Sequence, residues 1–193
     1  MEYKYGKINY LNRNLKKNGI NEETRKIIME SGELVNSKSS LNTKVEWCFN
    51  AMNKMDKLFD KNIKQNIREG CACNLGGKRG NYCREINKKY ETIEDRIKTV
   101  NESHYIFGHE IKIIGNGKYK VTFWEEPIIE PKCSCFPKIK FDKEWSESWC
   151  YCCGGHVKHH LEIVLGKKVV AKIISSALMS QGKKNCIFEL NEV

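Results

Sequence analysis

Before about residue 105, apolar residues recur every three to four positions, the period of helices packed on one face. The longest such stripe is Leu41, Val45, Cys48, Phe49, Met52, Met55 and Phe59, with Ser40 placed to cap its start. Asn21 followed by Glu22 and Glu23 predicts an earlier helix that runs to about Gly32. Residues 1–20 offer only Tyr3, Tyr5, Ile8, Tyr10 and Leu11 as anchors and read as a loosely packed lead-in. Residues 33–39 read as a polar linker. Asp60 starts a short helix that Gly70 ends, Asn81 to Tyr90 is helical, and Thr92 caps a helix carrying Ile93, Ile97 and Val100.

Beyond residue 105 the pattern changes to strands. Glu110–Ile114 and Lys118–Trp124 flank Gly115-Asn116-Gly117, which is a hairpin signal. Residues 125–148 hold Pro127, Pro131 and Pro137 and read as irregular. A helix is predicted over 154–165, with Val157, Leu161, Val164 and Leu165 on one stripe. A strand over 169–178, a turn at Gln181–Lys184 and a closing strand over 186–190 complete the chain. The fold class is therefore α+β: N-terminal helices followed by a mainly antiparallel sheet of about four strands with an inserted helix. The organisation expected is a lead-in and first helix over 1–39 and a single Cys-rich α+β domain over 40–193.

Composition changes this picture in one respect. Ten cysteines occur among 193 residues, while the apolar and charged shares, 40% and 30%, are ordinary for a globular chain. A chain of this length buries a core without disulfides. The N-terminal stretch has no apolar signal-peptide core and no apolar run approaches a membrane span, so a cytoplasmic protein with no membrane partner is expected. In a reducing compartment the cysteines call for something other than a disulfide framework. The net charge of +10 suggests nucleic acid, but the lysines are scattered as Lys16-Lys17, Lys88-Lys89, Lys167-Lys168 and Lys183-Lys184, and no basic stripe forms. Nucleic acid is not the expected partner on this reading.

The cysteines lie in tight groups: Cys71-x-Cys73, Cys133-x-Cys135 and Cys150-x-Cys152-Cys153, the last running into Gly154-Gly155-His156-Val-Lys-His-His160. Near neighbours rarely bridge each other, but separate groups can meet around a metal. The predicted helix puts the thiols at, or one turn before, its N-terminus, where the backbone favours an anionic sulfur. A start near Cys152 would align Cys152, His156 and His160 on one face. The expected ligands are Cys133, Cys135, Cys152 and Cys153, with His156 as an alternative. Cys71, Cys73 and Cys83 would make a second site or complete the first. Sulfur donors suit zinc, with an iron–sulfur cluster as the alternative. C-x-x-C pairs, HExxH and ferredoxin spacing are all absent. Cys48 and Cys186 fall among apolar residues and are expected to be buried and remote from metal, and His104 and His109 to be structural.

Two resemblances rest on these residues. Cys71-x-Cys73-x-x-Gly76-Gly77-Lys78-Arg79, Phe107-Gly108-His109 and Cys150-Tyr-Cys-Cys-Gly-Gly-His-Val-Lys-His-His160 resemble a bacterial family of small Cys-rich proteins known as a domain of unknown function, from roughly residue 40 to the end. Gly182-Lys-Lys-Asn-Cys186-Ile-Phe188 is more distantly similar to the ending of the 4-vinyl-reductase-type ligand-binding domain and of the hydrolase family acting on 2-amino-thiazoline-4-carboxylate. That second resemblance implies an α+β sheet with a small-molecule pocket, sometimes near a metal. The expected function is a metal-binding small-ligand-binding or sensor-type protein. The alternatives are a hydrolase using zinc-bound water or an activated cysteine, and a nucleic-acid-binding zinc module.

Overall fold

The structure, a computed structural model, describes residues 3–73 and 75–193. Helix α1 (Gly6–Lys17) buries Ile8, Leu11 and Leu15, a three- and four-residue spacing that faces the core. Most of the expected loose lead-in is thus a packed helix. Asn14 explains its attachment: its side-chain amide donates to Tyr10 O at 2.9 Å and to Gly70 O at 2.9 Å. That long-range tie is invisible to a local reading of a mostly polar segment.

Four further helices start as their capping residues dictate. In α2 (Glu22–Met29), Asn21 accepts from Thr24 N–H, and a single 3-10 turn, Gly32–Leu34, follows. In α3 (Leu41–Leu58), Ser40 accepts from Thr43 N–H, and Val45, Cys48, Met52 and Met55 are buried along one stripe. Asp60 caps α4 (Lys61–Glu69). Helix α5 (Gly77–Lys89) begins four residues before the expected start, and Thr92 caps α6 (Ile93–Ser103).

The sheet comprises β1 (Glu110–Gly115), β2 (Lys118–Thr122), β3 (Val169–Ser175) and β4 (Ile187–Glu192), in the order β1-β2-β4-β3 with every pair antiparallel. Register sets one face as core: Ile111 pairs with Val121, Val121 with Phe188, and Phe188 with Ile173, all buried. The long strand expected to reach residue 178 stops at Ser175, because Ser176, Ala177 and Leu178 turn inward and are buried. The Leu178 carbonyl there accepts from Trp145 N–H.

Helix α7 (Glu147–Leu165) is inserted between β2 and β3 and packs on α3, α4, α5 and β3. It starts at Ser146, which accepts from Ser148 N–H, seven residues before the expected start. Gly154-Gly155 therefore lies within the helix rather than ahead of it. At its C-terminal end, Asn87 and Arg96 donate to the free carbonyls of Val164 and Leu165. The fold is α+β, with helices first, an antiparallel four-stranded sheet and one inserted helix. Among the described residues, no helix is long and apolar enough to cross a membrane.

Candidate metal centre

The early start of α7 moves Cys150, Cys152 and Cys153 from the approach to the helix into its first two turns. Cys152 and Cys153 face a loop that brings Cys135 to them. That loop is fixed by its own turns, with Phe136 N–H donating to Cys133 O and Ile139 N–H to Phe136 O. It is also fixed by Phe136, whose ring stacks on Trp149 with centroids 5.2 Å apart. The Sγ atoms of Cys135 and Cys152 lie 3.6 Å apart, and those of Cys135, Cys152 and Cys153 all fall within 4.8 Å of one another. Thiolates bound to one zinc at about 2.3 Å stand roughly 3.8–4 Å apart. Sulfurs gathered this closely could hold a single metal ion.

Two cations sit behind the sulfurs. Arg68 is 3% exposed, donates through Nε to Ser148 O and through Nη2 to Trp149 O, and places its guanidinium 4.7 Å from the Trp149 ring centre. Lys7 places Nζ 5.6 Å from the Phe136 ring centre. Neither forms an ion pair with a carboxylate among the described residues. Burial works to lower the pKa of Arg68, but Cys71 and Cys152 outweigh it and the group stays charged. Hydrogen bonds from the Cys135 and Cys153 thiols, aided by Arg68 and Lys7, hold Cys152 well below the usual thiol range despite its burial. Those same hydrogen bonds, together with burial, keep the Cys135 and Cys153 protons on. Three neighbouring sulfurs facing two cations make a setting that favours anionic sulfur.

The centre separates two cavities. One, of about 390 Å³, has Cys135, Cys152 and Cys153 on its floor and Phe107, Phe123 and Trp124 among its walls. The other, of about 230 Å³, lies towards Lys7, Arg68 and Cys71. Cys73 lines both and is exposed.

The other expected ligands stand apart from this triad among the described residues. Cys133 borders a small void with Cys150 and Cys186, and Cys150 donates to Ser176 Oγ at 3.2 Å. Burial pushes Cys133 up to about 11. Cys71 donates to Ile67 O at 3.3 Å, and Cys83 is buried in α5 with its thiol pushed up to about 12 by burial. Cys48 is buried as expected, whereas Cys186 is only half-buried, because it precedes β4 at the rim of the sheet.

The histidines hold the frame. Cys152, His156 and His160 do share a face of α7, at the i, i+4, i+8 spacing. His156 points Nδ1 at Cys73 O, 3.0 Å away, and Nε2 at Ile106 O, 3.2 Å away. Burial lowers its pKa although both carbonyls pull it up. His159 meets Leu75 O at 2.9 Å. These contacts pin the segments on either side of the larger cavity. His104 ends α6 in a left-handed conformation with Nδ1 3.0 Å from His109 O, a structural role.

Arg68 and Lys7 escape a sequence reading. They lie in helices remote from the thiol stretch, and the one signal is Arg68 standing three residues before Cys71.

A comparison with curated proteins finds no match. Among solved structures, a vinyl-4-reductase family protein from Methanocaldococcus jannaschii is 15% identical, with 94% of this chain and 92% of that chain covered at a TM-score of 0.32. A superposition that loose carries no argument about the site. The family model described as "Family of unknown function (DUF6144)" matches residues 4–192, extending the likeness back through α1. On that match across nearly its whole length, the chain belongs to the DUF6144 family of unknown function.

Proposed function

We propose that the chain binds one thiophilic metal ion, zinc first, through Cys135, Cys152 and Cys153, and uses the ion's remaining position to hold a small ligand. The observation that carries this reading is the convergence of three sulfurs within 4.8 Å on the floor of a 390 Å³ cavity. An all-sulfur donor set selects zinc or Cu(I) over magnesium or calcium. Three sulfurs this close surround one ion, which favours zinc over the iron–sulfur alternative. Four thiolates would close a tetrahedral shell, whereas three leave a position open towards the cavity. The reading is that of a metal-dependent ligand-binding or sensor protein. Its reduced thiols suit the cytoplasm.

An open position also suits the hydrolase alternative, since zinc-bound water could occupy it. The cavity lining argues for binding instead. It contains no carboxylate among the described residues, and both His156 ring nitrogens face backbone carbonyls. The other imidazole of the lining, His104, turns its Nδ1 to the Gly108 and His109 carbonyls, so each lining imidazole has at least one ring nitrogen already engaged by backbone, which weakens the case for a general base.

The test is metal content of protein purified without air or chelator, followed by Cd(II) titration read by the sulfur-to-metal absorption band. About one ion per chain is expected, with the band lost in Cys152→Ser. Absence of a band in the parent chain, or an undiminished one in Cys152→Ser, overturns the assignment.

A further inference from the structure

We propose that Cys135 and Cys152 are also a dithiol couple: in the metal-free chain they reduce a small organic disulfide that enters the larger cavity, and close into an internal disulfide. The regulatory consequence, removal of two of the three donors and release of the ion, rests on the metal reading above. The exchange chemistry does not.

Three observations point to this pair. Their sulfurs are 3.6 Å apart, so bond formation at about 2.05 Å needs an approach of roughly 1.6 Å. Cys152 is fixed in α7, while Cys135 sits in an irregular loop whose side chain can supply that approach. Both line the same cavity, so a reagent reaching one sulfur is within reach of the other. Cys153 is the less suitable partner for Cys152, because adjacent cysteines on a helix cannot easily meet the geometry of a bridge.

The cavity identifies the chemical class. At about 390 Å³, with Phe107, Phe123 and Trp124 in its walls and Arg79 among its lining residues, it has room for a small organic disulfide. The reaction balances in two steps. The Cys152 thiolate attacks one sulfur of RSSR, the S–S bond breaks as a mixed disulfide forms, and the first RS− leaves and takes a proton from solvent. Cys135 then attacks the Cys152 sulfur, the protein disulfide forms, and the second RSH leaves with the Cys135 proton. Two protein thiols are oxidised and one external disulfide is reduced.

The test uses the full chain, stripped of metal under anaerobic conditions and treated with bis(2-hydroxyethyl) disulfide. Expected are about two equivalents of released 2-mercaptoethanol per chain, a Cys135–Cys152 cross-link in the peptide map and loss of Cd(II) uptake. Dithiothreitol should restore uptake. Cys135→Ser should stop at a mixed disulfide on Cys152, with one equivalent released. Cys73→Ser, which removes the exposed thiol on the cavity wall, should leave the cross-link intact. A map showing only mixed disulfides, on Cys73 or elsewhere, overturns the proposal, and it decides the question on the parent chain even where a variant does not fold. Should the untreated chain bind no Cd(II) yet form the cross-link, the metal reading fails and the exchange stands. Should it bind Cd(II) without forming the cross-link, the exchange fails alone.

Discussion

Gly155 of α7 crosses Glu69 of α4 so closely that a Cβ on the glycine would stand 2.4 Å from the Glu69 carbonyl oxygen and 2.7 Å from its Cα. Arg68, the neighbour of Glu69, donates to Ser148 O and Trp149 O in the first turn of α7. Gly154 is different: its nearest neighbour is Phe188 Cε1 at 3.8 Å, an ordinary contact. Gly155→Ala must push two backbones apart and is expected to lose about 1–3 kcal/mol of stability. Gly154→Ala is expected to be neutral or to gain up to about 1 kcal/mol from helix propensity. Urea melts of the two variants check this, and equal effects would contradict the packing argument.

Arg68 makes a second prediction. It is a buried cation whose nearest counter-charge is sulfur rather than a carboxylate. Arg68→Met should weaken Cd(II) binding at least about tenfold, roughly 1.4 kcal/mol, because the thiolates lose that charge. Arg68→Lys keeps the charge but not the fork that spans two carbonyls, and should fall between. Competition titrations that rank Lys no better than Met would show that the fork, not the charge, matters.

The thiols outside the triad give a third. Cys83 lies in α5 and Cys48 in α3, both buried by apolar neighbours. Cys83→Ala and Cys48→Ala should each leave metal stoichiometry unchanged while costing about 1 kcal/mol of stability through the small cavity created. A loss of bound metal in Cys83→Ala, measured by elemental analysis, would redraw the ligand set.

Much of this was legible along the chain. Capping residues Asn21, Ser40, Asp60 and Thr92 mark helix starts because the cap is a local interaction, and the structure shows each accepting its hydrogen bond. The hairpin after β1 is local too. What stayed hidden depends on distant partners. Helix α1 is held by Asn14 on Gly70, 56 residues away. The start of α7 was obscured because a Gly-Gly pair inside a helix reads as a break, and the reason for tolerating Gly155 lies on α4. The meeting of Cys135 with Cys152 follows clusters that sequence does show, whereas the place of Cys133, beside a small void with Cys150 and Cys186, does not. The cations Lys7 and Arg68 join the site only in three dimensions.

His160 sets an acid limit on the fold. It is fully buried on α7, with Nδ1 2.9 Å from His156 O and Nε2 without a hydrogen-bond partner among the described residues. The neutral ring with its proton on Nδ1 satisfies this site, and protonation would place an N–H where no acceptor waits. Burial, reinforced by the neighbouring His156, accordingly pushes the group down to about 4 from its ordinary 6.5. A histidine whose folded value lies below its unfolded one binds fewer protons when folded. Its contribution is therefore complete above about pH 6.5 and is lost as pH falls towards about 4, with a span on the order of 3 kcal/mol. His156, also lowered by burial, acts in the same direction. Asp56 does not confuse this window. Hydrogen bonds from Ser146, Ser148 and Lys64 outweigh its burial and lower its pKa, so its contribution disappears only at more acidic pH. Urea melts at several values between pH 7.5 and 4.5 should show falling stability, and His160→Asn, whose amide can replace the Nδ1 donor without titrating, should flatten that slope. An unchanged slope in the variant would move the acid sensitivity to another group.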